Sequence, residues 1–352
     1  MKCRNDKFEI GSAKPEDAQE ILKIYECGDF KGNISILYTR RPDPFKSLIS
    51  EGEKVVITVV RDKKNDVIVG MGACIIRKAC INGKIKNTGY LTGLKALPEY
   101  RKRVPVIFAA YKYLHELTKD EVDIYYTTIL KENKSVQKML EKKRKNMPEY
   151  KSIGEYTAYC FRTGEHLKEK GYTLEKGNLM ELQSLNRVGP DSFNFSPVNV
   201  NLHGLGDEDI YILRDHKREV VAGCAVWNQQ SYKQYIITEY SGIYRFLKRL
   251  PLKLTGYPDF PKENIPANCG SIALLCVKDN DQFLAEHFIR KVAEKADRYG
   301  FLMLGLFENH PLTPSMEKLK CIKYQSRLYT VHWEDSVQAL DNRPVNLEVG
   351  FL

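Results

Sequence analysis

The chain has 352 residues, a length that suggests two domains, each large enough to bury its own core, and that excludes a single small module. Hydrophobic residues make up 43% and charged residues 28%, the composition of a globular protein and not of a disordered, collagenous or disulfide-stapled one. Lys and Arg number 55 against 45 Asp and Glu, a formal net charge of +10 that puts nucleic acid, acidic lipid and phosphorylated small molecules among the partners to weigh.

No run of eighteen apolar residues occurs, and Met1 to Glu20 is charged and polar, so the expectation is a cytoplasmic protein without a membrane span. The nine cysteines are odd in number and scattered, which suits reduced thiols. The closest pair, Cys74 and Cys80, lacks CxxC spacing and a nearby histidine, and no metal site is assigned.

In chain order, Phe8 to Ile10 reads as a short strand. Ser12, Pro15, Glu16 and Asp17 supply a cap, a first-turn proline and early acids for a helix whose Ala18, Ile21, Leu22, Ile24 and Tyr25 recur at helical spacing. A polar stretch bearing Gly and Pro follows to about Glu53. Lys54 to Val60 and Val67 to Ile76, joined by a charged turn, form a hairpin, and the second strand carries Gly70 and Gly72. After an Asn82-Gly83 turn, Thr88 to Leu97 forms a strand that ends at Pro98. A basic turn, Glu99 to Arg103, then leads into a helix with Val106, Ile107, Ala110, Leu114 and Leu117 on one face. A strand at Val122 to Leu130, a helix with Val136, Met139 and Leu140, and a returning strand near Tyr156 to Phe161 complete the first half.

The second half repeats the order. Val220 to Val226 with Gly223 mirrors the Gly70 strand, and Ser271 to Val277 mirrors the strand ending at Leu97. A helix from about Gln282 to Tyr299 follows, and Phe301 to Phe307 with Glu308 and Asn309 echoes Val122 to Leu130 with Glu132 and Asn133. The expected fold is α/β (α+β), two copies of one unit, each a mixed, mostly antiparallel sheet flanked by helices. The copies span residues 1–165 and 172–335, joined near His166 to Gly171, with a tail, 336–352, that packs back on the fold.

The block LTGLKALPEYRKRVPVIFAAYKYL, Leu91 to Leu114, resembles the acyl-CoA binding motif of the GNAT acetyltransferase superfamily, matching at Ala96, Pro98, Glu99, Tyr100 and Arg101. In that family an R-x-x-G-x-G or R-x-x-G-x-A turn and the following helix N-terminus hold the pyrophosphate of coenzyme A through unpaired amides. Here the small positions are Val104 and Val106, with Pro105 between them, and Arg101, Lys102 and Arg103 offer charge in place of the glycines. The resemblance implies a coenzyme A site made by Leu94, Lys95, Ala96 and Leu97 on the strand, by Arg101 to Arg103, Val104, Val106 and Ile107 at the turn and helix start, and by Asn133 against the pantetheine arm. The backbone amides of Leu94 to Leu97 would polarise the thioester.

The family's tyrosine acid and glutamate base fall on Leu140 and Thr92, so both roles are vacant. Tyr90, Glu132 and the α-carboxylate of Leu352 are the candidates for proton transfer, the last because some tandem members use their terminal carboxylate. In the second half SIALLCVKDNDQFLAEHF has no arginine turn, and Asp279 and Asp281 would repel phosphate, so the cofactor is assigned to the first copy alone. The implied activity is acyl-CoA-dependent N-acyl transfer, most simply from acetyl-CoA, to a small-molecule amine held in a cleft between the copies. The rivals are a catalytically degenerate coenzyme A-binding scaffold, given the lost glycines, and a basic nucleic-acid binder using the aromatic stretch from Tyr232 to Tyr257. Helical and strand packing explains that stretch as well as base stacking does, which places nucleic acid behind a small molecule.

Overall fold

The computed structural model describes residues 7–101, 104–144, 147–166, 171–250, 252–333 and 339–352. β1 (Phe8–Ser12) leads through α1 (Ala18–Glu26), β2 (Ile34–Thr39) and α2 (Pro44–Ile49) to three antiparallel strands, β3 (Lys54–Asp62), β4 (Val67–Ile81) and β5 (Lys84–Ala96). α3 (Val104–Thr118), β6 (Ile124–Leu130), α4 (Lys134–Glu141) and β7 (Glu149–Arg162) complete the first half. The second half runs β8 (Thr173–Lys176), α5 (Leu179–Leu185), β9 (Ile210–Arg214), β10 (Val220–Trp227), β11 (Gln234–Tyr240) and α6 (Tyr244–Leu247). It ends with β12 (Cys269–Val277), α7 (Gln282–Lys295), β13 (Phe301–Phe307), α8 (Thr313–Glu317) and β14 (Cys321–His332).

Twelve strands form one continuous sheet in the order β1-β3-β4-β5-β6-β14-β7-β13-β12-β10-β9-β8, and β2 pairs with β11 in a separate ribbon. β5 pairs parallel with β6, and β12 pairs parallel with β13; the other strand pairs are antiparallel. The pairing β1-β3-β4-β5-β6 thus has a counterpart in β8-β9-β10-β12-β13, while β2 and α2 in the first half and β11 and α6 in the second fall at different places in the element order.

The strand expected near Tyr156 to Phe161 is the C-terminal part of β7, but it does not close the first half. Tyr156 to Arg162 pairs with Phe301 to Phe307 of β13, and β14 of the second half inserts between β6 and β7. Each half thus lends its last strand to the other. A strand pattern shows which face is apolar and leaves the partner open, so an exchange of this kind is invisible in it.

The stretch up to Glu53 holds β2 and α2. Asp43 caps α2 by accepting from the Lys46 amide at 3.0 Å, and Pro44 occupies the first turn. β2 finds its partner two hundred residues away in β11, with Tyr38 opposite Tyr235. The tail also packs inward. The Tyr156 hydroxyl donates to the Leu347 carbonyl at 2.7 Å, Val345, Leu347, Val349 and Phe351 are buried, and a 3-10 turn at Val349–Phe351 lies against β12 and β13. The eight described cysteines are free thiols.

Candidate functional site

β5 and β6 pair only over Thr88 to Tyr90 with Ile124 to Tyr126, and then diverge. A cavity of about 900 Å³ fills the wedge, with Leu91 to Ala96 on one wall and Thr127 to Leu130 on the other. A bulge shapes the first wall. Met71 faces Lys95 and Ala73 faces Thr92, so Gly93 and Leu94 together oppose Gly72. Gly93 has φ +66°, and a Cβ there would stand 2.9 Å from the Tyr25 hydroxyl oxygen, so the site requires glycine on both counts.

The expected residues gather unevenly around this cavity. Leu94, Lys95, Ala96, Arg101, Val106, Ile107, Asn133, Tyr90 and Leu352 line it. Leu97 does not line it, and its amide donates to the Val69 carbonyl at 2.9 Å, a ladder bond that removes it from the donors available to a thioester. Lys102 and Arg103 lie outside the described residues, and Val104 is the first residue of α3. Arg101 is exposed and turns back on the strand, donating to the Ala96 carbonyl at 3.2 Å with Cys27 Sγ 3.7 Å away. Asn133 caps α4, its carboxamide oxygen accepting from the Val136 amide at 3.3 Å.

The proposed proton-transfer groups separate as well. Glu132 is exposed on the turn before α4 and does not line the cavity, so it is not placed to meet a group bound there. Tyr90 is buried with its hydroxyl 3.1 Å from Thr128 Oγ1, and burial raises its phenol above the ordinary value, which keeps the proton on. It is suited to donate rather than to act as a base. Leu352 stands on the wall beside Val349.

Lys95 does more than line the strand. Its ammonium donates to the Gly28 carbonyl at 3.0 Å and to the Tyr25 carbonyl, fastening the C-terminal end of α1 to the rim of the wedge. Behind Tyr25 and Tyr38 lies a buried charge cluster that the sequence did not reveal. Glu51 meets Arg40 at 2.9 Å, Lys233 at 3.1 Å and Arg77 at 3.8 Å, with Arg40, Glu51 and Lys233 fully enclosed. Burial alone would raise the Glu51 carboxyl, but the three cations outweigh it and hold it at about 2. Burial brings Lys233 down to about 8 against the pull of Glu51. The Lys233 ammonium also donates to the Gly350 carbonyl at 2.9 Å, so this cluster anchors the tail that carries Leu352 to the cavity.

The second half builds the same wedge and closes it. β12 and β13 pair only over Cys269 to Ser271 with Phe301 to Met303, and the register of β12 against β10 slips so that Leu274 and Leu275 form the bulge. Leu274, at the position of Gly93, has φ +55°. Its amide donates to Glu348 Oε1 at 2.9 Å, so a carboxylate of the tail occupies this bulge. Burial pushes the Glu348 carboxyl up to about 7. Asp281 meanwhile caps α7 by accepting from the Leu284 amide at 2.8 Å, taking one of the amides a phosphate would need.

No protein-family model and no curated protein matches this chain. Among solved structures, a GCN5-related N-acetyltransferase from Sphaerobacter thermophilus is similar at 10% identity with a TM-score of 0.59, over 95% of this chain and 98% of that one. The N-myristoyltransferase of Saccharomyces cerevisiae with bound myristoyl-CoA is similar at 10% identity with a TM-score of 0.56, over 97% and 85%. A GCN5-related glucosamine N-acetyltransferase region of a fungal multi-domain beta-N-acetylglucosaminidase matches at 12% and 0.60, over 92% of this chain and 38% of that one. The parallel β5–β6 and β12–β13 pairs that splay apart, the bulged strand beside each wedge and these likenesses together give the chain a GNAT-like fold.

Proposed function

We propose that this protein is an acyl-CoA-dependent N-acyltransferase made of two tandem copies of one unit, in which the first copy binds the acyl donor and the second shapes the acceptor side. The observation that carries this reading is the open wedge between β5 and β6, with Gly93 to Ala96 and Arg101 on its walls, against the tail-filled wedge of the second half. Acetyl-CoA is the simplest donor, and a small-molecule amine the acceptor, since the cavity is enclosed by both halves: Tyr240, Phe260 and Tyr324 line it together with Tyr25 and Tyr90. The similar proteins include N-acetyltransferases and an N-myristoyltransferase with myristoyl-CoA, which supports the reaction class at either acyl length.

The chain's residues suit that chemistry. The bulge leaves room for a thioester against the backbone, the guanidinium of Arg101 at the foot of α3 suits a diphosphate, and the enclosed apolar walls strengthen any charge-dipole contact made inside. Leu352 also stands on the cavity wall, so deleting it or adding residues beside it is expected to lower turnover while coenzyme A still binds.

Thermal denaturation with and without coenzyme A tests the reading, because a ligand of the folded state alone raises its melting temperature. Stabilisation that Arg101→Ala abolishes, followed by thiol release from acetyl-CoA with a panel of amines, supports an enzyme. Stabilisation without turnover leaves the scaffold, and salt-sensitive retention on RNA or DNA without stabilisation by coenzyme A overturns the reading in favour of a nucleic-acid binder.

A further inference from the structure

Tyr25 closes the last turn of α1, where Ala18, Ile21, Ile24 and Tyr25 form the buried face of the helix. The residue is 2% exposed and lines the cavity; Arg40, which can only donate, is the side chain that approaches its hydroxyl, so the phenol proton meets no acceptor among the described residues. A buried donor left without an acceptor forfeits the hydrogen bond it made to water, so a structure that holds one at a cavity wall invites a partner from the cavity. The oxygen stands against Gly93, at 2.9 Å from the point where a Cβ would lie. Lys95 fixes this placement by gripping the carbonyl of Tyr25 itself.

The other half shows what belongs at the bulge. At the register position of Gly93, the Leu274 amide holds a carboxylate oxygen, Glu348 Oε1, at 2.9 Å. An acceptor oxygen therefore has a built seat at this point of the fold, filled by the tail in one half and open to the cavity in the other.

We propose that the Tyr25 hydroxyl donates a hydrogen bond to the acyl oxygen of the thioester, beside the Gly93 amide, and stabilises the negative charge that develops there; this rests on the acyltransferase reading above. In the step, the amine nitrogen forms a bond to the thioester carbon and the C=O π pair moves onto the oxygen that Tyr25 faces. When the C=O bond reforms, the carbon–sulfur bond breaks and the pair leaves on the thiolate of coenzyme A. The proton given up by nitrogen goes to a separate base, and Tyr25 keeps its own throughout. Burial, which raises the Tyr25 phenol, agrees with a donor that never ionises. The surroundings favour the charge: Arg40 lies 5.8 Å from the Tyr25 ring centre, and Arg40, Arg77 and Lys233 share only Glu51 between them among the ion pairs of that cluster.

Acetyl-CoA carrying carbon-13 at the thioester carbonyl provides a probe that needs no acceptor amine. In the bound wild-type complex the carbonyl stretch is expected at lower wavenumber than in solution, and Tyr25→Phe is expected to return it toward the solution position. With any amine that turns over, Tyr25→Phe should lower kcat by roughly 100-fold while the KM for acetyl-CoA moves by less than about threefold. A wild-type band at the solution position overturns the proposal without any variant, and so does a variant whose band and kcat match the wild type. Both results leave coenzyme A binding intact. Absence of stabilisation by coenzyme A in the wild type is a different outcome, which removes the acyltransferase reading and the role of Tyr25 with it.

Discussion

Glu348 Oε1 accepts a hydrogen bond from the Leu274 amide at 2.9 Å, at the point of β12 where the backbone turns left-handed. A leucine with φ +55° is strained by about 1–2 kcal/mol, and it persists here because neighbours fix it from both sides: its side chain is buried in the core and its amide is held by the tail. The same bulge in β5 uses Gly93, and among the described residues no tail side chain hydrogen-bonds to its amide as Glu348 does to that of Leu274. One geometry thus serves as a latch in the second half and as an open seat in the first.

Because burial pushes the Glu348 carboxyl up to about 7 from an ordinary 4.5, the folded chain holds a proton that the unfolded chain has released between those two pH values. The contribution of Glu348 to stability should therefore fall as pH rises from about 4.5 to about 7 and level off above that. Glu348→Gln keeps an acceptor oxygen and cannot ionise, so its stability relative to wild type should grow over the same window, by up to about 3 kcal/mol. Urea denaturation of both proteins at pH 5 and pH 8 measures the difference; a gap that does not widen with pH contradicts the assignment.

Among the described residues Glu51 is the only carboxylate paired with the buried cations Arg40, Arg77 and Lys233, and removing its charge leaves them to repel one another out of reach of water. Glu51→Gln should cost about 3–5 kcal/mol, the range for breaking one partner of a buried ion pair. With the carboxyl held at about 2, its contribution is present above the ordinary 4.5 and lost as pH falls toward 2, so wild type and variant should converge in acid. Chemical denaturation at pH 7 and at pH 3 checks both statements. Equal stability at pH 7 would mean that the cluster is not load-sharing in the way its distances imply.

Much of this architecture is written in local pattern. The β4 hairpin with Gly70 and Gly72, the strand ending at Leu97, and the turn at Arg101 can all be read from periodicity and punctuation, and the wedge lies where they put it. What depends on distant partners was not legible. β2 pairs with β11, β7 with β13, and the charges of Arg40, Glu51, Arg77 and Lys233 look in the sequence like surface residues because their partners are up to 182 positions away. Gly93 carried a signal that periodicity could have used, a glycine inside a strand, which marks a bulge or a close approach. Tyr25 carried none, since an apolar helix face accounts for a tyrosine without its hydroxyl.

Asp281 caps α7 in the half whose wedge is closed, so Asp281→Ala should remove one hydrogen bond and leave an exposed amide at the helix start. The expected loss is about 1 kcal/mol of stability, read as a lower urea midpoint with unchanged slope. Stabilisation by coenzyme A should be the same as in wild type, because the donor site proposed above lies in the other half. A second, weaker coenzyme A transition appearing in Asp281→Ala would show that the cap, and not the tail at Glu348, keeps that half from binding.

Gly93→Ala strikes the wedge itself. An alanine at φ +66° is strained by about 1–2 kcal/mol, and its methyl would stand 2.9 Å from the Tyr25 oxygen, a separation that forces the ring or the bulge to move. The ring has little freedom, since Lys95 grips the Tyr25 backbone and Ile21 and Ile24 pack the same helix face. The bulge is therefore the part expected to yield, drawing its amides away from whatever oxygen they face. The variant should be destabilised by about 2 kcal/mol and should lose at least tenfold in acyl transfer, more than the folded population accounts for. Thermal denaturation gives the first quantity, and thiol release per folded molecule gives the second. Activity that falls only in step with the folded fraction would show that the bulge supports the strand and does not hold the reacting group.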